Sequence, residues 1–170
     1  MGRALRAGLD GLYRLCGLLA ALFLVALLVI ILAQVGARWL GVQFPGSTSY
    51  AGYCMAGASF FALAHTLNHG AHIRVSLVIG QLTGAPRRIA ELWCLAIATG
   101  LAWYFAWYAT KAVRISRLIH DVSQGQDATP LWIPQSFMAI GTIVLAIAFT
   151  DLLIRVLRGG EVPGEGAAQE

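Results

Sequence analysis

The sequence predicts an all-α membrane protein: four transmembrane helices, with a short interfacial amphipathic helix between spans two and three. Three observations predict it. Of the 170 residues, 58% are hydrophobic and only 12% are charged, about half the charged share of an ordinary soluble domain. The mean hydropathy is +0.71, and a water-soluble fold of this size leaves too much surface exposed to hide that much apolar material. Four segments read as the run of about 20 mainly apolar residues that a spanning helix needs, at about residues 15–37, 50–67, 89–109 and 131–157.

Span one follows a basic start, MGRALRAGLDGLYRL, that resembles the opening of a secretory signal. Its apolar run is far longer than the roughly 7–15 residues of a signal core, so it reads as an uncleaved span. Gln34, the deepest strongly polar side chain near its far end, lies one turn before Arg38. The loop VQFPGSTSY turns at Pro45 and Gly46. Span two ends in ALAHTLNHGAHIRVSLVIGQL. There Val75, Val78, Ile79 and Leu82 recur at i, i+3, i+4 and i+7, the apolar face of a helix over about residues 71–82 lying in the interface. His72 marks where the chain leaves the core, and Arg74 sits among anionic headgroups. A strand there would leave backbone groups unpaired beside lipid.

Span three does not stop cleanly. Lys111, Arg114, Arg117 and Asp121 recur at helical spacing, with Val113, Leu118, Ile119 and Val122 as an apolar stripe. The helix is therefore expected to project beyond the bilayer or to tilt, until GQDATP breaks it. Pro130 and Pro134 are expected in the first turn of span four, where proline is tolerated. The spans form one unit over residues 10–158. The Gly- and Glu-rich residues 159–170 read as a disordered cytoplasmic tail.

Charge sets the orientation. Arg3, Arg6, Arg14, Arg74, Arg87, Arg88, Arg155 and Arg158 fall on one side and only Arg38, Lys111, Arg114 and Arg117 on the other. The positive-inside bias places both termini in the cytoplasm, and Trp and Tyr cluster at the opposite, outer ends. The formal net charge of +4 reports membrane anchoring, with no sign of a nucleic-acid partner. Small residues line helical ridges, Ala98, Ala102 and Ala106 in span three and Gly52 with Ala56–Ser59 in span two. These suit internal packing or a partner helix.

No catalytic chemistry is apparent. Ionisable residues deep in a membrane are functional by default, yet none lies near mid-depth. Glu91 with Arg87 or Arg88, and Asp151 with Arg155, read as structural pairs near the inner ends. No span is broken by Pro or paired Gly at its centre, as transporter sites usually require. Cys16, Cys54 and Cys94 lack ligand spacing and read as small buried hydrophobes. His65, His69 and His72 share one helical face, but Gly70 interrupts it and no carboxylate supports a metal there. A bis-histidine haem would need a facing histidine, and His120 is assigned to the other side. The sequence thus calls for no enzyme activity, cofactor or metal. A haem- or quinone-associated membrane subunit is the alternative class. A stand-alone multidrug exporter would need an embedded carboxylate.

The order of AQVGARWLG, ALAHTLNHGAHIRVSLVIGQLTGAPRR and TPLWIPQSFMAIGTIVLAIAFTDLLIRVLRG resembles the small, DctQ-like permease subunit of tripartite ATP-independent periplasmic (TRAP) transporters. GAHIRV (Gly70, His72, Ile73, Arg74, Val75) and LWIP (Leu131–Pro134) are its most recognisable stretches. The resemblance implies a large multi-span permease partner that carries the sodium and substrate sites and works as an elevator. It also implies a periplasmic binding protein that delivers an organic acid, such as a dicarboxylate or sialic acid. The small subunit would extend the static scaffold in the inner membrane and contribute to docking. Many members carry an acidic pair at the start of span two, where this chain has STSYAGY. Gln34, Arg38, His72, Arg74, Lys111, Arg114 and Arg117 are the candidate partner-facing residues. The last three form an outer basic stripe that either meets an acidic face of the binding protein or is a solvated helix end.

Overall fold

A computed structural model describes residues 3–68 and 85–158. The interfacial helix read at residues 71–82, with His72 and Arg74, and the tail from 159 lie outside the described residues. Four helices are described: α1 (Arg3–Trp39), α2 (Ser47–Asn68), α3 (Ala85–Leu118) and α4 (Trp132–Leu157). The α1–α2 and α3–α4 connections lie together at one end of the bundle, hereafter the connection end. The opposite end is the terminal end.

α1, α2 and α4 form a three-sided wedge, and α3 packs on α4 from outside. The wedge closes because each helix contributes apolar residues at three- and four-residue intervals to one face. Tyr13, Cys16 and Ala20 of α1 meet Phe61, Ala64 and Leu67 of α2 and Val144, Ala148, Leu152 and Val156 of α4. Phe23 holds the junction, its ring 5.9 Å from that of Phe61 and 5.1 Å from that of Phe137. Small residues set the spacing. A Cβ on Gly141 would stand 2.7 Å from Phe60 Cβ and 2.9 Å from its carbonyl carbon, so α4 touches the backbone of α2 there. Ala102 and Ala106 are buried against Ala146, so the alanine ridge of α3 serves internal packing. In α2, Gly57 and Ala58 are buried likewise, while Gly52 and Ser59 remain exposed.

α1, α3 and α4 are each long and apolar enough to cross a membrane. α2 is not, because Ser, Gly, Thr, His and Asn dilute its apolar content. α1 and α3 keep wide apolar faces uncovered, including Leu18, Leu22 and Leu32 on α1 and Trp93, Leu101 and Trp107 on α3, the pattern of helices solvated by lipid or by another chain. At 34 residues, α3 is about 51 Å long at ~1.5 Å per residue, well beyond the roughly 30 Å of hydrocarbon.

Two helices end in the same way. Gly41 (φ +69°) follows α1, with Val42 N–H donating to Ala37 O (2.9 Å) and Gly41 N–H to Arg38 O (3.3 Å). This left-handed turn satisfies carbonyls that the helix leaves unpaired. His120 (φ 52°) does the same for α3, with Asp121 N–H donating to Ser116 O (3.0 Å). The helical periodicity of the sequence runs on to GQDATP, but the left-handed His120 stops α3 at Leu118. Residues 119–131 instead form a loop closed by the Val122–Pro130 bridge. Pro130 therefore precedes α4, and only Pro134 occupies its first turn.

Candidate functional site

The polar side chains that could meet a partner gather at the connection end. The α3–α4 loop folds over the start of α2 and is fastened there by Asp127. Tyr53 Oη donates to Asp127 Oδ2 (3.0 Å) and Ser123 Oγ to Oδ1 (2.9 Å). Gly46 lets the loop approach: its φ is +78°, and a Cβ would lie 2.8 Å from that of Asp127. The Thr129 hydroxyl contributes most to holding the Asp127 carboxyl well below the usual carboxylate range. Partial burial opposes this, and the Ser123 and Tyr53 hydroxyls reinforce it. The sequence pattern marks this segment only as a breaker. A contact spanning 74 residues leaves no periodic trace.

Beside this clasp, an open cleft of about 410 Å³ is lined by Gln34, Arg38, Gln43 and Gln126 together with Val42, Phe44 and Pro45. The structure thus brings together two of the expected residues, Gln34 and Arg38, with two glutamines that sequence reasoning did not single out. The third group stands apart. Lys111, Arg114 and Arg117 are all exposed, but they are not equivalent. Lys111 Nζ lies 5.8 Å from the Tyr108 ring centroid and Arg117 Cζ lies 5.4 Å from that of Trp132, both within cation–π range. Arg114 has no ion-pair or ring partner among the described residues.

At the terminal end, polar groups tie helices to one another. His65 Nδ1 donates to the Tyr13 carbonyl (3.1 Å), across a close approach in which a Cβ on Gly17 would stand 2.8 Å from that nitrogen. Asp151, only 5% exposed, is paired with Arg155. Arg87 pairs with Glu91 at 3.0 Å, and Arg88 reaches the Val156 carbonyl at 3.5 Å. Cys16, Cys54 and Cys94 are free thiols, buried, partly buried and exposed in turn.

Between the two ends the bundle is chemically quiet. Ser59, Thr99 and Thr142 each donate to a carbonyl three or four residues back in their own helix, so these hydroxyls are already satisfied. Among the described residues no group of three or more His, Cys, Asp or Glu side chains could hold a metal ion.

Residues 27–159 match the family model described as "Tripartite ATP-independent periplasmic transporters, DctQ component". No curated protein matches the chain significantly.

Proposed function

The chain belongs to the DctQ-component family of tripartite ATP-independent periplasmic transporters, and from that premise we propose that it is the static scaffold for the large permease subunit. On this reading it works in the bacterial inner membrane, in sodium-coupled, binding-protein-dependent uptake of an organic acid. The observation that carries it is the quiet interior: among the described residues the acidic, basic and histidine side chains lie toward the two ends of the bundle, and its central hydroxyls bond their own helices. A subunit that moved the solute would need a polar path at mid-depth.

The reading includes a topology. All four helices cross, both termini are cytoplasmic, the connection end faces the periplasm and residues 71–82 lie along the inner interface. Support for the fourth crossing comes from α2 running alongside α4 in the same direction, with Phe60 against Gly141 and the Phe61–Leu67 face against Val144–Leu152. Its 22 residues make about 33 Å of helix, close to the hydrocarbon thickness of roughly 30 Å. Gln34, Arg38, Lys111, Arg114 and Arg117 then face the periplasmic side, where a binding protein docks, while His72 and Arg74 face the inner headgroups.

Two measurements test this function. Affinity purification from native membranes should recover one large multi-span protein at equal stoichiometry. Liposomes holding the chain alone should show no solute flux. Saturable, gradient-driven uptake by the chain alone would overturn the scaffold role.

A further inference from the structure

We propose that the cleft at the connection end of α1 is a binding site for the phosphate of a membrane lipid headgroup, held by Arg38 and the carboxamides of Gln34, Gln43 and Gln126. Its lining contains one cation, three amides and no carboxylate. Among the described residues Arg38 has no ion-pair partner. Asp127, the acid next to Gln126 in sequence, has its carboxylate engaged by Tyr53 and Ser123, so it does not compete for the guanidinium. A guanidinium presents a planar fork of donors that matches two phosphate oxygens, and amide N–H groups complete such a site without adding charge.

Three features select a lipid over a soluble anion. First, the cleft lies at the end of a helix long and apolar enough to cross the membrane, beside Trp39, which is 85% exposed. That is the depth at which tryptophan marks the headgroup layer. Second, Gln34 sits one turn deeper than Arg38. An uncharged donor beneath a cation follows the order of glycerol ester carbonyls beneath a phosphate. Third, at about 100° per residue, Ile31 and Leu24 fall within about 40° of Arg38 around α1. They are 43% and 55% exposed, so an uncovered apolar lane for an acyl chain runs down from the cleft. A volume of about 410 Å³ lies within the roughly 300–1,000 Å³ of small-ligand sites. The proposal rests on membrane embedding of α1 and is independent of the scaffold role.

The full-length chain, purified in detergent with the permease it retains, is titrated with phosphatidylglycerol, with diacylglycerol and with inorganic phosphate, and bound lipid is counted by native mass spectrometry. Saturable retention of phosphatidylglycerol is expected. Arg38→Gln should weaken it about tenfold, in line with the loss of a charge-assisted hydrogen-bonded contact. Gln34→Leu should weaken it by a smaller factor. Arg38→Lys, which keeps the charge and loses the fork, should fall between wild type and Arg38→Gln. Arg158→Gln, at the opposite end, should leave retention unchanged, and diacylglycerol should not compete. Equal retention by wild type and Arg38→Gln would overturn the site, as would diacylglycerol binding as well as the phospholipid. Displacement of the lipid by inorganic phosphate at equal concentration would overturn the lipid assignment in favour of a soluble anion. Binding seen only after the permease is stripped away would show that protein, not lipid, fills the cleft.

Discussion

Asp127 holds the α3–α4 loop to α2 through hydroxyl donors, and its titration has a definite sign. Hydroxyls of Thr129, Ser123 and Tyr53 favour the charged carboxylate, so the folded pKa lies below the ordinary value of roughly 3.9. Its stabilisation is therefore fully present above that ordinary value and is lost only as pH falls through the lowered folded value. Hydrogen exchange of loop amides 123–131 is expected to show unchanged protection from about pH 8 to pH 5. In Asp127→Asn, exchange should rise several-fold across that range, because a neutral amide accepts more weakly from three hydroxyls. Two glycines make a sharper contrast. Gly141→Ala would drive a methyl to 2.7 Å from Phe60 Cβ and 3.0 Å from its backbone oxygen, with no side-chain end free to yield. Overpacking of this kind costs about 1–3 kcal/mol. Gly100→Ala meets nothing within 4 Å and should gain about 0.5–1 kcal/mol from the better helix former. Unfolding of both variants in detergent, side by side, tests whether the α2–α4 approach is as close as these contacts require.

At the scale of elements, legibility followed periodicity. α1 and α4 are plain in the sequence because their apolar runs are long, and the extension of α3 is plain because its charges recur at helical spacing. What the pattern misses is local backbone geometry. Periodicity continues past Leu118, whereas His120 in the left-handed region ends the helix, with Asp121 N–H bonded back to Ser116 O. Glycine is the usual residue for that turn, and Gly41 performs it after α1. His120→Gly is therefore expected to stabilise the loop by up to about 1 kcal/mol, and His120→Val to destabilise it by at least as much. Thermal melts of the two variants should move in opposite directions. The candidate site was half legible for a similar reason. Gln34 and Arg38 stand one turn apart on a single helix, while Gln43, Gln126 and Asp127 join them only through loop closure. The basic stripe was legible as three cations, but two of them lie over aromatic rings. Arg114→Glu is the cleaner charge reversal, since Arg117→Glu would also remove its contact with Trp132. If the stripe steers an acidic binding protein, Arg114→Glu should slow transport several-fold at low ionic strength. The deficit should shrink near 0.5 M salt, where screening confines charge interactions to about 4 Å. An unchanged rate and salt dependence would leave the stripe as a solvated helix end.

For the whole molecule, the decisive question is whether α2 crosses the membrane, as proposed, although it is not among the helices apolar enough to do so by composition. The wedge supplies a physical route to such a crossing. α2 lies against both α1 and α4, burying Gly57, Ala58, Phe61, Ala64 and Leu67, so in the proposed crossing its neighbours would present much of the bilayer-facing surface in its place. Its small and polar residues are then assets, since Gly57 admits the Phe23 ring and Gly141 of α4 lies against the Phe60 backbone. In lipid, such close approach replaces the hydrophobic effect as the source of helix association. The crossing has a consequence that separates it from every re-entrant arrangement. If α2 traverses the bilayer, residues just before it and those at the start of α3 must lie on opposite sides. In a background with Cys16, Cys54 and Cys94 changed to alanine, Gln43→Cys and Gln124→Cys should react with a membrane-impermeant thiol reagent added to intact cells. Pro86→Cys and Arg158→Cys should react only after the membrane is opened. Labelling of Pro86→Cys together with Gln43→Cys from outside would mean that α2 turns back within the membrane. The shared depth of Phe60 with Gly141, and of the Phe61–Leu67 face with Val144–Leu152, argues against that outcome. A helix that turned back could not keep the direction of α4 over its whole length.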